Sequence, residues 1–593
     1  MRRSRRQSTQ IRVKSERPDD SELIRKLEKD AWRTNEEVLS DAERVRGKQL
    51  LMAAERQLND LALGPATSRR AKQDPRVVTV TKWRATLAAQ RLLPYEILRE
   101  IFLFSVAPYG APALTFPHCT TTTPWTLRSV CARWRQIVLQ LKELWGRHYI
   151  KLEGHTASKV VRFFKHVIPP QGYLFMEFTG TTSREDCALA IRELVIPNLS
   201  RTYALALSKL PISALDGLLN VPAGQFSRMV KFTLVLNNPT GQEDPYLNQR
   251  LAGTQIIRSS PHLQSLVLGG FYSHSIHAPP ATLSALDISG LQSFTVQEAY
   301  AMLKNVPRLQ TLGISLTGPG IPNAPPILPY LHTVKLKYAV PDLAFTLPIP
   351  WRNLSHLDLK EATELGPNKL LVLLQRINAP LISLSVTVNA RTDQNINPPT
   401  VIMPRLQALD IATEFGGILT FLVVRSLATL RICCNYLPAS QVVDMIGRSG
   451  CRLLEFVHTK KLPPNSWSAG GEPRVISLLE AMPYLHHFIV PKIELRAQTM
   501  HRIARGTLVP HVRALEFFAF GSELDNLLDL VESRRPQPGS RLGTLYKVKV
   551  TTPYIPSKDF VHLRPFMELL SQFQRGGTHY QLEMLPKNWE KTK

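Results

Sequence analysis

The feature that most constrains the fold is a short apolar pattern, leucine-x-x-leucine-x-leucine, that recurs from residue 263 onwards. Nine copies begin at Leu263, Leu283, Leu309, Leu331, Leu354, Leu381, Leu406, Leu427 and Leu453, which are 20, 26, 22, 23, 27, 25, 21 and 26 residues apart. Looser copies follow at YLHHFIVPK and HVRALEFFA. A unit of this length contributes one short strand whose apolar side chains it cannot cover alone, so neighbouring units stack into a continuous core. The pattern therefore predicts an α/β chain with a solenoid of strand–helix repeats.

The pattern resembles the leucine-rich repeat, whose period lies in the same range. In that family an Asn or Cys usually follows the strand and bonds the backbone of the turn. Phe271, Leu291 and Ala362 stand at the matching places of this chain. We therefore expect an irregular, distorted horseshoe. The alternative is another α/β fold in which the leucine spacing arises by chance.

Strand-like and helix-like segments already alternate ahead of the repeats. The predicted strands are YIKLEG, YLFMEFTG, YALALSKL and MVKFTLVL, and the predicted helices between them are VVRFFKHVI, DCALAIRELVI and SALDGLL. Among the repeats, Thr295 and Glu298 form a capping-box pair, and GSELDNLLDLVESRRP is a further predicted helix. We expect the solenoid to cover residues 149–593, with VHLRPFMELLSQFQRGG and HYQLEML capping its end.

Residues 90–152 carry a different pattern, which predicts two amphipathic helices and a first strand, and we expect residues 90–148 to form a domain. Pro94 suits the first turn of a helix, and apolar residues then follow at helical spacing: Ile97, Leu98, Ile101 and Phe102. Thr123 and Pro124 begin a second helix with the same spacing at Leu127, Val130, Cys131, Trp134 and Val138. Burial of each large apolar side chain contributes about 1.5–3 kcal/mol, so two such faces predict a partner.

These residues resemble the F-box, a helical module that binds the Skp-type adaptor of SCF ubiquitin ligases. The family pattern is a Leu-Pro opening, an Ile-Leu and Ile-Phe helix, a Val-Cys-x-x-Trp helix and a closing Leu-Trp, which is Leu144 and Trp145 here. The similarity is greatest to fungal F-box proteins in which a basic helical leader precedes the box and leucine-rich repeats follow it. The Pro/Thr-rich segment APYGAPALTFPHCTTTT is longer than in a compact F-box.

The resemblance implies a substrate-recognition subunit of an SCF-type ubiquitin ligase that is not itself an enzyme. Ten residues would hold the adaptor, and through it the cullin and RING subunits: Leu93, Pro94, Ile97, Leu98, Ile101, Phe102, Leu127, Val130, Cys131 and Trp134. An unidentified protein substrate would lie on concave strand positions of the solenoid: Gln264, Ser265, Val267, Ser284, Asp287, Gln310, Lys335, Lys337, Asp358 and Asp410. One alternative is that the apolar faces only pack within the chain. Another is a non-enzymatic nuclear scaffold or polyanion-binding repeat protein.

The N-terminal region is basic and then helical. Residues 1–18 are predicted to be a disordered basic tail, with a candidate nuclear-localisation signal at Arg2, Arg3, Arg5 and Arg6. Residues 19–64 are predicted to be a helical leader that Asp19 and Glu22 cap. Coiled-coil spacing is kept at Leu51, Ala54, Leu58 and Leu61, but Thr34, Asp41 and Lys48 interrupt the earlier heptads. Residues 65–89 are predicted to be a linker.

The net charge of +26 and the pI near 9.9 invite a nucleic-acid interpretation. The sequence has no RNP motif, zinc-finger spacing or helix-turn-helix pattern, so we expect no sequence-specific nucleic-acid binding. The six cysteines include no C-x-x-C pair, and the basic N-terminus lacks the apolar segment of a secretory signal. These features favour a soluble protein of the cytoplasm or nucleus with no membrane partner.

Catalytic motifs are also lacking from the sequence. It contains no G-x-S-x-G elbow, phosphate-binding loop, dinucleotide fingerprint or H-E-x-x-H pair. His274 and His277 are spaced like metal ligands, but no neighbouring carboxylate or thiol completes a site. Cys433 and Cys434 stand at the end of a predicted strand, where one faces the core and the other does not. We therefore predict no enzymatic activity, no metal and no cofactor.

Overall fold

The computed structural model describes residues 18–28, 40–62, 79–80, 83–84, 87, 93–106, 114–116, 123–152, 156–168, 173–180, 183–236, 260–269, 281–289, 294–316, 328–337, 349–361, 365–377, 380–389, 400–413, 416–459, 472–519, 523–534, 542–552 and 579–584. The chain divides into two compact units, Met1–Asn238 and Pro239–Lys593. The fold is mixed α/β, with parallel strands in both units.

The first unit combines helices with a short ladder of parallel strands. Its helices are α1 (Pro18–Glu28), α2 (Asp41–Ala62), α3 (Tyr95–Val106), α4 (Thr123–Val130), α5 (Ala132–Gln140), α6 (Ala157–Val167), α7 (Arg184–Ala190) and α8 (Asp216–Leu219). Its strands are β1 (Leu114–Phe116), β2 (Arg147–Lys151), β3 (Leu174–Thr179), β4 (Thr202–Leu210) and β5 (Lys231–Leu236). Each strand pairs in parallel with the next one along the chain.

The second unit also combines helices with parallel strands. Its described helices are α9 (Val296–Leu303), α10 (Pro367–Ile377), α11 (Ala439–Ser449), α12 (Glu472–Glu480), α13 (Ala497–Ala504) and α14 (Leu524–Ser533). Its strands are β6 (Ser265–Gly269), β7 (Ala285–Ser289), β8 (Thr311–Ser315), β9 (Thr333–Lys337), β10 (His356–Glu361), β11 (Ser383–Val388), β12 (Val401–Ile402), β13 (Ala408–Thr413), β14 (Leu422–Val423), β15 (Thr429–Cys433), β16 (Glu455–Thr459), β17 (His487–Glu494), β18 (Ala514–Phe518), β19 (Lys547–Thr552) and β20 (His579–Met584).

All of these strands except β12 and β14 form one parallel ladder in chain order, which we call the long ladder. The two-residue strands β12 and β14 pair with each other. The strand predicted from each leucine pattern is confirmed, and the apolar positions are buried: in β6, for example, Leu263, Leu266 and Leu268 are at most 3% exposed. Burial of such side chains, repeated along the ladder, forms the core of the second unit.

One polar side chain enters this apolar row. His458 is paired in register with Ile432, which fills the same place in the preceding strand, and it is 2% exposed. Its Nε2 lies 3.1 Å from the carbonyl oxygen of Tyr436 and 3.3 Å from Sγ of Cys434. A buried imidazole is tolerated where a leucine is usual because its ring nitrogen bonds to the backbone.

Two helix predictions among the repeats are confirmed. Thr295 and Glu298 form a reciprocal capping box at the start of α9, with Thr295 N donating to Glu298 Oε2 over 2.9 Å and Glu298 N donating to Thr295 Oγ1 over 3.2 Å. The segment GSELDNLLDLVESRRP contains α14. Within the predicted terminal cap, HYQLEML contains β20, whereas VHLRPFMELLSQFQRGG lies outside the described residues.

The first unit contains both the helical part and the first strands. The predicted boundary between the box and the repeats, at residue 149, lies within this unit, which continues to Asn238. β1 is a strand that was not predicted within the Pro/Thr-rich segment. It pairs with β2 and so joins the helical part to the strands that follow.

Three described residues of the predicted linker 65–89 pack in the interior. Val80, Trp83 and Leu87 are buried in one apolar cluster with residues of both leader helices: Leu23, Leu27, Leu50 and Ala54. Burial of these three large apolar side chains stabilises their packing against the leader helices. The capping pair of the leader is Ser40 and Glu43 at the start of α2, whereas Asp19 lies inside α1.

Candidate functional site

The residues predicted to bind the adaptor lie on α3, α4 and α5 and in the short segments that precede α3 and α5. They fall into three groups by exposure. Leu98 and Phe102 are fully buried; Leu93, Leu127, Cys131 and Trp134 are half-buried; and Pro94, Ile97, Ile101 and Val130 are exposed. Leu98 and Phe102 were predicted to contact a partner, but they belong to the interior. The apolar residues of α3 therefore serve two different surfaces.

The inner surface of α3 packs on α5. The rings of Phe102 and Trp134 meet edge to face, with centroids 4.8 Å apart. Arg133 Nη2 donates to the carbonyl oxygen of Leu93 over 2.8 Å, which ties α5 to the start of α3. Cys131 caps α5, since its Sγ accepts a hydrogen bond from Trp134 N over 3.4 Å. These contacts fix the rotation of α3 about its axis and so determine which of its residues face outward.

The outer surface of α3 is an apolar stripe. Ile97 is 48% exposed, Ile101 is 44% exposed and Phe104 is 75% exposed. Their spacing of four and three residues places them on one face of the helix. We call these three residues the outer stripe. Phe104 was missed from sequence because it lies outside the motif, although its spacing from Ile101 could have revealed it.

The exposed side of α4 and α5 holds a cleft of about 570 Å³ lined by Trp125, Arg128, Ser129 and Arg135. The Arg128 guanidinium lies 4.9 Å from the centroid of the Trp125 ring, and Trp125 meets Trp145 edge to face at 5.5 Å. Trp145 is held in turn because its Nε1 donates to the Val138 carbonyl oxygen over 2.7 Å. The closing Leu-Trp of the motif thus supports the wall of this cleft.

The positions predicted to line the solenoid fall on or beside the strands. Ser265, Val267, Asp287, Lys335, Lys337, Asp358 and Asp410 lie on strands, and Gln264, Ser284 and Gln310 lie one residue ahead of them. Some charged residues of the strands, which we call the strand face, pair with one another across neighbouring or next-neighbouring strands. Three ion pairs do so: Lys360 Nζ–Asp410 Oδ2 at 2.6 Å, Arg431 Nη2–Glu455 Oε1 at 2.8 Å and Lys549 Nζ–Glu516 Oε1 at 3.2 Å.

Two buried basic groups have shifted pKa values. His148 on β2 is 1% exposed against the ring of Phe164, and burial lowers its pKa to about 4, with the charge of Arg201 acting in the same direction. Arg534, at the end of α14, is 1% exposed, and burial lowers its pKa to about 10. Its guanidinium donates to the carbonyl oxygens of Ile503, Pro510 and Gly543. Arg534 thus bonds three separate stretches of backbone, and neither group is accessible to solvent.

The described residues include no group of three or more His, Cys, Asp or Glu side chains that could hold a metal ion. No described helix is long and apolar enough to cross a membrane. Cys434 is buried and Cys433 is half-buried, as the strand alternation predicts. His274, His277 and the candidate localisation signal at Arg2, Arg3, Arg5 and Arg6 lie outside the described residues.

Comparison with known proteins adds no identification. No protein-family model matches this sequence, and no curated protein is significantly similar to it.

Proposed function

We propose that this protein is a non-enzymatic substrate receptor of an SCF-type ubiquitin ligase, with α3 to α5 as an F-box-like module that binds the Skp-type adaptor. The outer stripe is the observation that carries the proposal. Three large apolar side chains stand in water on one helix face, and an exposed apolar patch of this kind commonly marks a protein interface. The motif residues around the stripe favour the adaptor as its partner.

The inner packing of α3 supports the same proposal. Because Phe102 and Trp134 hold the helix in place, the outer stripe is ordered before any partner arrives. A pre-ordered apolar anchor loses little conformational entropy on binding, which raises affinity for a matching groove. The half-buried Leu127, Cys131 and Trp134 support this packing from the side of α4 and α5.

The long ladder completes the proposed receptor as an irregular leucine-rich-repeat solenoid that holds the substrate. Such a receptor needs no reactive group of its own. It binds the ligase at one place and the substrate at another, and the rate gain comes from proximity between the substrate and the ubiquitin-charged enzyme. The proposed cellular location is the cytoplasm, the nucleus or both.

The direct test is binding of the full-length chain to purified Skp-type adaptor by calorimetry. Ile97→Asp combined with Ile101→Asp places two charges on the outer stripe without touching the inner packing. We expect adaptor affinity to fall about a hundredfold or more, since interface anchors typically contribute 2 kcal/mol or more each. Thermal unfolding should be almost unchanged because both side chains are exposed.

Val45→Asp is the matched control. Val45 is 60% exposed on α2, so the substitution adds one charge of the same sign to an exposed apolar site outside the F-box-like helices. This variant should bind the adaptor as the unmodified chain does. Full adaptor affinity in the Ile97/Ile101 double variant, or no adaptor binding by the unmodified chain, would refute the proposed function.

A further inference from the structure

The turns that precede the strands of the long ladder have a one-sided charge. For each of twelve strands, β6–β11, β13 and β15–β19, we consider a window of six residues around the leading apolar residue. The window begins four residues before the leading residue and ends one residue after it. The leading residues of the first nine of these strands are the nine leucines given above, and those of β17, β18 and β19 are Leu485, Val512 and Leu545. These twelve windows hold 72 residues and no Asp or Glu, whereas 47 acidic residues in 593 would place about six there. Acidic residues are therefore excluded from one end of the strands.

The same turns carry exposed arginines. Six of them are described by the structure, and we call them the amino edge: Arg308, Arg352, Arg405, Arg425, Arg452 and Arg513. None of these forms an ion pair with another residue in the described part of the chain. Their positive charge is thus uncompensated, unlike that of the ion-paired cations within the strand face.

The register of the strands aligns these turns. In every strand of this group, the second residue after the leading residue pairs with the corresponding residue of the neighbouring strand. Ala408, for example, pairs with Thr429, and Thr429 pairs with Glu455. Neighbouring strands lie about 4.8 Å apart, so the eight steps from β8 to β18 span roughly 40 Å. Arg405, Arg425 and Arg452 precede the consecutive strands β13, β15 and β16 and form the densest part of the edge.

We propose that the amino edge binds an extended acidic segment of a protein, which would be the recognition element of the substrate. That the acidic segment belongs to a substrate rests on the proposed function, whereas the binding of an acidic segment does not. Arginine forks bind carboxylates through paired hydrogen bonds, and a row of forks at strand spacing suits a chain that carries carboxylates at intervals. The strand face is a poorer candidate because three of its cations, Lys360, Arg431 and Lys549, already form ion pairs with carboxylates of the same face.

The aromatic residues of the edge favour a protein over single-stranded nucleic acid. Nucleic acid would need open rings on which bases stack. Tyr330 is 61% exposed, but Tyr484 lies beneath the Arg452 guanidinium at 5.0 Å, and the Tyr546 hydroxyl hydrogen-bonds with His487 Nε2 at 3.0 Å. Trp351, the fourth ring of these turns, is half-buried. Two of the four rings are thus engaged within the chain and a third is partly covered, which leaves charge as the main attraction.

The test measures binding of a fluorescent oligoglutamate peptide to the full-length protein by anisotropy, with oligoglutamine as the neutral control. The edge variant replaces Arg405, Arg425 and Arg452 by Ser. A charge-matched control replaces three exposed cations on or next to helices of the same unit, Lys304, Arg474 and Arg505, by Ser. We expect the edge variant to bind oligoglutamate roughly tenfold more weakly and the control to change by less than about twofold.

Three results would overturn the inference. Equal losses in the two variants would show attraction by net charge alone. Equal binding of oligoglutamine and oligoglutamate would remove the role of the carboxylates. Tighter binding of oligo(dT) than of oligoglutamate, with the same dependence on the three arginines, would assign the edge to nucleic acid.

The two proposals can fail separately. The edge variant should keep full adaptor affinity, and the Ile97→Asp/Ile101→Asp variant should keep full oligoglutamate affinity. Oligoglutamate binding at the edge without any adaptor binding would refute the proposed function and leave the acidic-segment site in place. Adaptor binding without oligoglutamate binding would refute only the inference about the edge.

Discussion

The two proposed binding surfaces, the outer stripe and the amino edge, differ in the chemistry of their exposed side chains. The stripe is three apolar side chains on one helix, and the edge is a row of arginines at the ends of parallel strands. An apolar patch is unfavourable in water until a partner covers it, whereas guanidinium groups are well solvated when nothing is bound. The outer stripe therefore suits a long-lived complex with its partner, and the amino edge suits a short-lived one.

The largest expected effect separates the two faces of α3. Phe102→Ala should lower the free energy of unfolding by about 3–5 kcal/mol, because it empties a buried site against Trp134. Ile101→Ala should change stability by no more than about 0.5 kcal/mol while weakening adaptor binding. Urea unfolding of both variants is the measurement. Similar losses of stability would contradict the distinction between inner and outer faces.

A second contrast separates a buried arginine from the arginines of the edge. Arg534→Met should destabilise the chain by about 3 kcal/mol, since carbonyl oxygens of Ile503 and Pro510 lose their buried donor. Arg405→Met should have an effect within about 0.5 kcal/mol because Arg405 is exposed and unpaired in the described part of the chain. Thermal unfolding followed by circular dichroism would compare them, and equal shifts would contradict the difference.

A smaller effect, of about 2 kcal/mol, should appear on acidification. His148 has a pKa near 4 in the fold and near 6.5 when unfolded, so below pH 6.5 the unfolded chain binds the proton first. Stability is complete above pH 6.5 and declines as pH falls toward 4. Acid should therefore weaken the first unit, which contains His148.

The measurement for His148 is urea unfolding at pH 7 and pH 5. His148→Leu removes the titrating group and should reduce the loss of stability between these two pH values. An unchanged pH dependence in this variant would show that other groups cause it.

The repeats could be predicted from sequence because their signal is local and recurs. Leu263 and its eight counterparts each begin a unit with the same period, and the Thr295–Glu298 cap depends on only four consecutive residues. His458 shows the limit of this reasoning, since a histidine in an apolar place can be foreseen only when the Tyr436 carbonyl is known to lie beside it.

The missed features depend on distant partners. β1 is three residues long, and only its pairing with β2, more than thirty residues later, makes it a strand. Trp83 stands in a segment with linker composition, yet it packs with Leu27 and Leu50. On α3, periodicity identified the apolar residues but could not tell that Leu98 is fully buried while Ile97 is 48% exposed.

The chain-order pairing of the long ladder has a consequence for how such proteins change over generations. Because the backbone of each strand in the long ladder pairs with the strands just before and after it there, duplicating or deleting one whole unit leaves the backbone pairing of the other strands intact. Every added unit would lengthen the proposed binding surface by one strand, and every lost unit would shorten it by one strand. If the proposed function is correct, the number of units would set the length of polypeptide that the protein can bind.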